Sequence, residues 1–142
     1  MTSCARKKLL GGMRMAVFHC WNACVQGMFL CGTDPATGKD FVYRRRWMLD
    51  RMEQLAGQFA IDVEFHAVMA NHFHIVLRTC PRVARRWGRM EVARRWLTAT
   101  RLAKRMSDGL PTVDEKEVEE LAKDKKRIKQ LRRRLSNVSW LM

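Results

Sequence analysis

No stretch of this chain reaches the ~18 uninterrupted apolar residues that a membrane-spanning helix needs. The only signal-like stretch near its start, Leu9 to Phe18, is broken by Arg14. A cytoplasmic protein without membrane insertion is therefore expected. Cysteine is too irregular for a disulfide framework: Cys4, Cys20, Cys24, Cys31 and Cys80 are odd in number, and the C-x3-C-x6-C spacing of the middle three is not that of a zinc ribbon or knuckle. Reduced thiols serving as small core residues are the expectation. Acidic side chains are scarce, 14 against 28 Lys and Arg, which leaves a formal charge of +14. So large an excess repels itself unless a polyanion neutralises it, which makes nucleic acid the leading partner and an acidic membrane surface the competitor. Tyrosine is rarer still, with Tyr43 alone.

What is present is enough for one globular core. Of 142 residues, 47% are hydrophobic, so the chain is not disordered on composition. Residues 1–12 read as a basic tail, 13–106 as an α/β domain, and 107–142 as a charged helical segment that ends on the start of a further element. Met15 to Asn22 is expected to be a strand and Gly27 to Cys31 a short extended piece, followed by turn chemistry from Gly32 to Gly38. A helix is predicted from about Asp40, with Phe41, Met48, Met52, Leu55 and Phe59 as its apolar stripe and Gly57 near its end. Ile61, Val63, Phe65, Ala67 and Met69 then alternate with Asp62, Glu64, His66 and Val68 as a half-buried strand. After a turn at Ala70-Asn71, residues His72 to Thr79 form its hairpin partner. Pro81 ends that strand. Glu91 to Met106 is predicted to be a basic amphipathic helix, and Val113 to about Leu135 one long helix whose acids precede its bases in the order the helix dipole favours.

Within the hairpin, Phe73, Ile75 and Leu77 share one face of the second strand, and His72, His74, Val76 and Arg78 the other. Residues i and i+2 of a strand point the same way with Cα atoms about 6.5 Å apart, so His72 and His74 can reach one ion. Neutral imidazole accepts Zn, Mn, Fe or Ni, and oxygen ligands beside it would also admit Mg. Two ligands make half a site, whose open positions suit an ion that polarises a phosphodiester. An isolated H-x-H is more often structural or simply exposed. A turn before it, an otherwise apolar strand around it and the basic chain favour the metal reading here.

The run Val68-Met69-Ala70-Asn71-His72-Phe73-His74-Ile75-Val76-Leu77 resembles the MPNHFHLL signature of the single-tyrosine HUH transposases, the insertion-sequence-200-like and REP-associated families. Phe18-His19-Cys20-Trp21-Asn22-Ala23-Cys24-Val25 resembles their first strand, and Phe29-Leu30-Cys31-Gly32 with the helix after Asp40 resembles the passage that follows. Leu135 to Trp140, with the charged stretch before it, is similar to a subgroup of the family. The resemblance implies an α+β, ferredoxin-like antiparallel sheet with helices on one face, in which His72 and His74 hold Mg or Mn on a scissile phosphate. It also implies single-stranded or hairpin DNA as the partner, a possible homodimer, and a tyrosine that forms a covalent 5′-phosphotyrosyl link. The family's tyrosine lies C-terminal to the motif, so the resemblance implies a chain truncated before it. Tyr43 precedes the motif on the first helix, where a tyrosine ordinarily packs or faces solvent.

DNA contact is expected from Arg44, Arg45 and Arg46, from Arg85, Arg86 and Arg89, and from Arg94, Arg95 and Arg101, because a guanidinium binds two phosphate oxygens at once. Trp47, Trp87 and Trp96 lie among them. Trp87 is the better candidate to stack an unpaired base, whereas Trp96 falls on an apolar stripe. His19 and His66 read as structural histidines, although either could approach the pair, and Asn71 reads as a turn residue. A non-catalytic nucleic-acid-binding module with the same fold remains the alternative function.

Overall fold

The protein is described by a computed structural model covering residues 14–24, 29–104 and 109–142. The basic tail and the first two residues of the extended piece predicted at Gly27–Cys31 lie outside these residues, and Phe29 to Cys31 form a bend rather than a strand. Val17–Ala23 forms β1, Tyr43–Ala56 α1, Ile61–Val68 β2 and His72–Thr79 β3. Four further helices and a final turn of helix follow: Pro81–Arg86 (α2), Arg89–Lys104 (α3), Glu115–Lys123 (α4), Lys125–Arg134 (α5) and Val138–Leu141 (α6). The class is α+β, with a three-stranded antiparallel sheet in the order β1-β3-β2. The histidine-bearing strand is thus the central one.

Strand β3 alternates as its sequence demands. Ile75 and Leu77 are buried on one face, and the histidines take the other. The same alternation fails on β2. Val63 pairs with Leu77 but Phe65 pairs with Val76, so Glu64 is an extra residue in the ladder. This bulge turns Phe65 out to 60% exposure and turns His66 and Val68 to the inner side, where period-two counting had placed their neighbours. Arg78 holds the bulge by pairing with Glu64 at 2.5 Å and Asp62 at 2.9 Å.

The inner face packs on the helices. Phe59, Ile61, Ile75 and Leu77 share one apolar cluster with Val92 of α3, Val118 of α4, and Ile128, Leu131 and Leu135 of α5 and its end. Full burial of each such side chain is worth about 1.5–3 kcal/mol. Residues 115–141 therefore belong to the same core as the sheet. The backbone N–H of Ala60 donates to Leu135 O at 2.8 Å, and Val138 and Leu141 pack into the cluster rather than standing without neighbours.

Three of the boundaries that differ from expectation have a clear physical cause. Helix α1 starts three residues after Asp40, whose carboxylate instead accepts from the Val42 N–H at 2.8 Å. Pro81 does more than end β3: it opens the short helix α2, since its missing N–H costs nothing at a helix start. The long helix predicted over Val113–Leu135 is two helices, because Asp124 leaves helical geometry and caps α5 by accepting from the Arg127 N–H at 2.8 Å. Helix α3 runs Arg89–Lys104 and carries five buried residues, so it is the central helix against which α4 and α5 pack.

Candidate metal centre

The outer face of the sheet carries His19 and Trp21 from β1, His72, His74 and Val76 from β3, and Phe65 from β2. Trp21 is 64% exposed. Helices pack on the opposite face, through Ile61, Ile75 and Leu77.

His72 and His74 stand side by side with ring centroids 5.2 Å apart and planes at 80°. A third histidine joins them. In the register of β1 on β3, Trp21 lies opposite His74 and His19 opposite Val76, so His19 is a diagonal neighbour of His74 on the same face. The Nε2 of His19 is 2.9 Å from Nδ1 of His74, and the two rings are 20° from parallel with centroids 5.1 Å apart. On the other side, Nδ1 of His72 lies 2.6 Å from Oδ1 of Asn71. Asn71 thus spends its side chain on the histidine, while the turn is closed by the Met69 N–H donating to His72 O at 2.8 Å. His66 pairs with Ile75 and points to the inner face, away from the other three.

Two imidazoles on one face suit Mn as ligands, and Mg when phosphate and water oxygens complete the sphere. Among the described residues, no group of three or more His, Cys, Asp or Glu is arranged to hold an ion. Two imidazoles alone are half of a metal's coordination sphere, and an ion held there would need its remaining ligands from outside the chain.

No protein-family model, no curated protein and no solved structure matches this chain.

Tyr43 begins α1 and is 66% exposed, its ring 5.9 Å from the guanidinium of Arg44. The inward residues of α1, among them Leu49 and Met52, line a groove with Ile61, Val63 and His66, so the helix carrying Tyr43 packs on the side of the sheet away from His72 and His74.

The arginines divide into two groups. Arg85, Arg86 and Arg89 are exposed, and no hydrogen bond or ion pair with another described residue engages them. The others have internal partners. Arg45 donates to Val68 O at 2.8 Å, Arg44 lies 4.1 Å over the Phe41 ring, and Arg46 pairs with Asp50 at 2.9 Å. Arg94 pairs with Glu115 at 2.8 Å, which holds its pKa above the ordinary arginine value through that hydrogen bond and charge. Arg101 pairs with Glu117 and donates to Thr112 O, and Arg95 pairs with Glu91 while lying 4.3 Å over the Trp87 ring. These contacts fasten α3 to α4, and Arg95 also donates to Gly57 O at 2.7 Å, which ties α3 to the loop after α1. Trp87 is accordingly occupied by Arg95, and Trp96 meets Trp140 edge-on at 5.6 Å.

Sequence reasoning passed over Trp21 and gave His19 and Asn71 structural roles. The signal was available for the first two, since Val17, His19 and Trp21 alternate along β1 as the histidines do along β3.

The thiols have packing roles. Cys31 is buried and donates to Met69 O, and Cys20 lies on the inner face, where burial raises its pKa. Cys20, Cys24, Cys31 and Cys80 are all free.

Proposed function

We propose that this chain is the metal- and DNA-binding part of a DNA transposase of the single-tyrosine HUH type, acting in metal-assisted cleavage and rejoining of single-stranded or hairpin DNA. One observation carries the reading: His72 and His74 stand together on the central strand of an open sheet face, in a chain of charge +14. The order β-α-β-β-α formed by β1, α1, β2, β3 and the helices after it is that of the first five elements of a ferredoxin-like unit, which supports the finer fold reading.

His72 and His74 would hold a divalent Mg or Mn ion, which when bound polarises a phosphate oxygen and stabilises the charge that develops during strand cleavage. The chain's own residues do the rest of the binding. Trp21, and Phe65 across the sheet, offer exposed ring faces on which unpaired bases stack beside the histidines. Arg85, Arg86 and Arg89 supply guanidinium groups for the phosphate backbone. A phenol with a pKa near 10 is a weak nucleophile, and Tyr43 sits on a helix packed against the other side of the sheet. That placement favours a second reading, a nucleic-acid-binding module that performs no strand chemistry.

Incubating the chain with single-stranded and hairpin DNA and Mn(II), then denaturing it, separates the two. Mn-dependent, salt-sensitive binding with no covalent species supports the binding module. A denaturation-resistant protein–DNA species lost in Tyr43→Phe establishes the transposase chemistry within this chain. DNA binding indifferent to His72→Ala and His74→Ala, with or without Mn(II), overturns the metal part of the proposal.

A further inference from the structure

A neutral imidazole has one N–H and one lone pair, and a metal takes the lone pair. Which ring nitrogen is available is decided by what the other one bonds to. Both motif histidines have their Nδ1 engaged by a side chain, and neither Nε2 is engaged by a described residue. The partner of His72 is Oδ1 of Asn71 at 2.6 Å. A carboxamide oxygen only accepts, so this contact is a hydrogen bond when His72 carries its proton on Nδ1, which leaves the Nε2 lone pair free. The partner of His74 is Nε2 of His19 at 2.9 Å. If His74 donates, its own Nε2 is free as well. If His19 donates, the proton of His74 moves to Nε2 and closes that nitrogen to a metal.

We propose that Asn71 and His19 are positioning residues that hold His72 and His74 in the Nδ1–H tautomer, so that both rings present an Nε2 lone pair to one ion. The inference rests on the metal reading above and extends it to the groups that prepare the site. The two partners come from different places in the chain. Asn71 is the last residue before β3, and His19 reaches His74 from β1, 55 residues away, through the β1–β3 register. A fixed N–H donor bond also sets the ring plane and makes the opposite nitrogen more basic, which is why loss of such partners typically weakens metal affinity about 10–100-fold. His19 spends its Nε2 on this bond, so it serves the site through His74.

The test uses the full chain, isotope-labelled and metal-free, with long-range imidazole nitrogen NMR above about pH 8, where an unperturbed imidazole is neutral. His72 and His74 are both expected as Nδ1–H tautomers. Asn71→Ala and His19→Phe should each return their own histidine, and not the other, to the Nε2–H form that predominates in free imidazole side chains. Asn71→Asp and His19→Gln keep an accepting oxygen and should restore Nδ1–H. Mn(II) titration should follow the same pattern, about 10–100-fold weaker in Asn71→Ala and His19→Phe and recovered in the conservative variants.

An Nε2–H tautomer at either motif histidine in the unaltered chain overturns the inference without recourse to any variant, and so guards against one that fails to fold. Nδ1–H tautomers in a protein whose Mn(II) affinity is unchanged by His72→Ala with His74→Ala would instead overturn the metal reading. The two failures are thereby distinguished.

Discussion

Replacing Trp21 by Ala tests whether nucleic acid crosses the open sheet face. A tryptophan that buries roughly 150–250 Å² when covered, and is 64% exposed here, leaves on the order of 100–160 Å² uncovered. At ~25 cal/mol per Å² its complete covering would be worth about 2.5–4 kcal/mol. One base covers one ring face, about half of that area, so the loss should be about 1–2 kcal/mol, within the range seen when stacked aromatics are truncated. This is a ~5–30-fold weaker affinity for single-stranded DNA, measurable by fluorescence anisotropy at fixed salt. Stability should change little, since the side chain is mostly in solvent. Trp47→Ala is the control: Trp47 is a 41% exposed residue of α1, on the helical side of the sheet. Trp21→Ala binding as tightly as the parent while Trp47→Ala weakens would refute the assignment of the DNA path.

Leu131→Ala empties a fully buried position of α5 and should cost about 2–5 kcal/mol in urea unfolding, with sheet and helices lost in a single transition. A separate early transition of the C-terminal helices would contradict the single core. Asp124→Ala removes the α5 cap and should cost about 1 kcal/mol, read from the shift in denaturation midpoint. The Cys80 thiol is raised above its ordinary pKa, first by burial and then by its 3.2 Å hydrogen bond to Asp62. A raised acid stabilises the fold below its unfolded pKa, and this contribution fades as pH rises through the folded value. Alkylation of Cys80 in mildly alkaline buffer should therefore be slower in the folded chain than in urea. Asp62→Asn should narrow that gap, and equal rates in the two states would count against the assignment.

Strand β3 and its two faces were legible because its alternation is unbroken and a strand fixes the side of every second residue. The equally regular pattern of β2 misled from Glu64 onward, since counting by twos assumes one partner per residue and a bulge breaks that assumption without a marker in composition. Asp124 was illegible for a different reason. Within a run of Lys and Arg at helical spacing it looks like one more exposed charge, and only its cap bond to Arg127 reveals two helices. The acidic partners of α3 were not legible because Glu115 and Glu117, which pair with Arg94 and Arg101, lie beyond the Gly109-Leu110-Pro111 break. His19 joined the pair through a register between strands distant in sequence, which no local pattern specifies.

The most direct test of the central claim is Mn(II) titration of the full chain, followed by electron paramagnetic resonance of the free ion. The account predicts saturable binding by the parent and loss of that site when His72 and His74 are both replaced by Ala, in a protein whose unfolding is unchanged. Binding of the same affinity and stoichiometry in the double variant would contradict it.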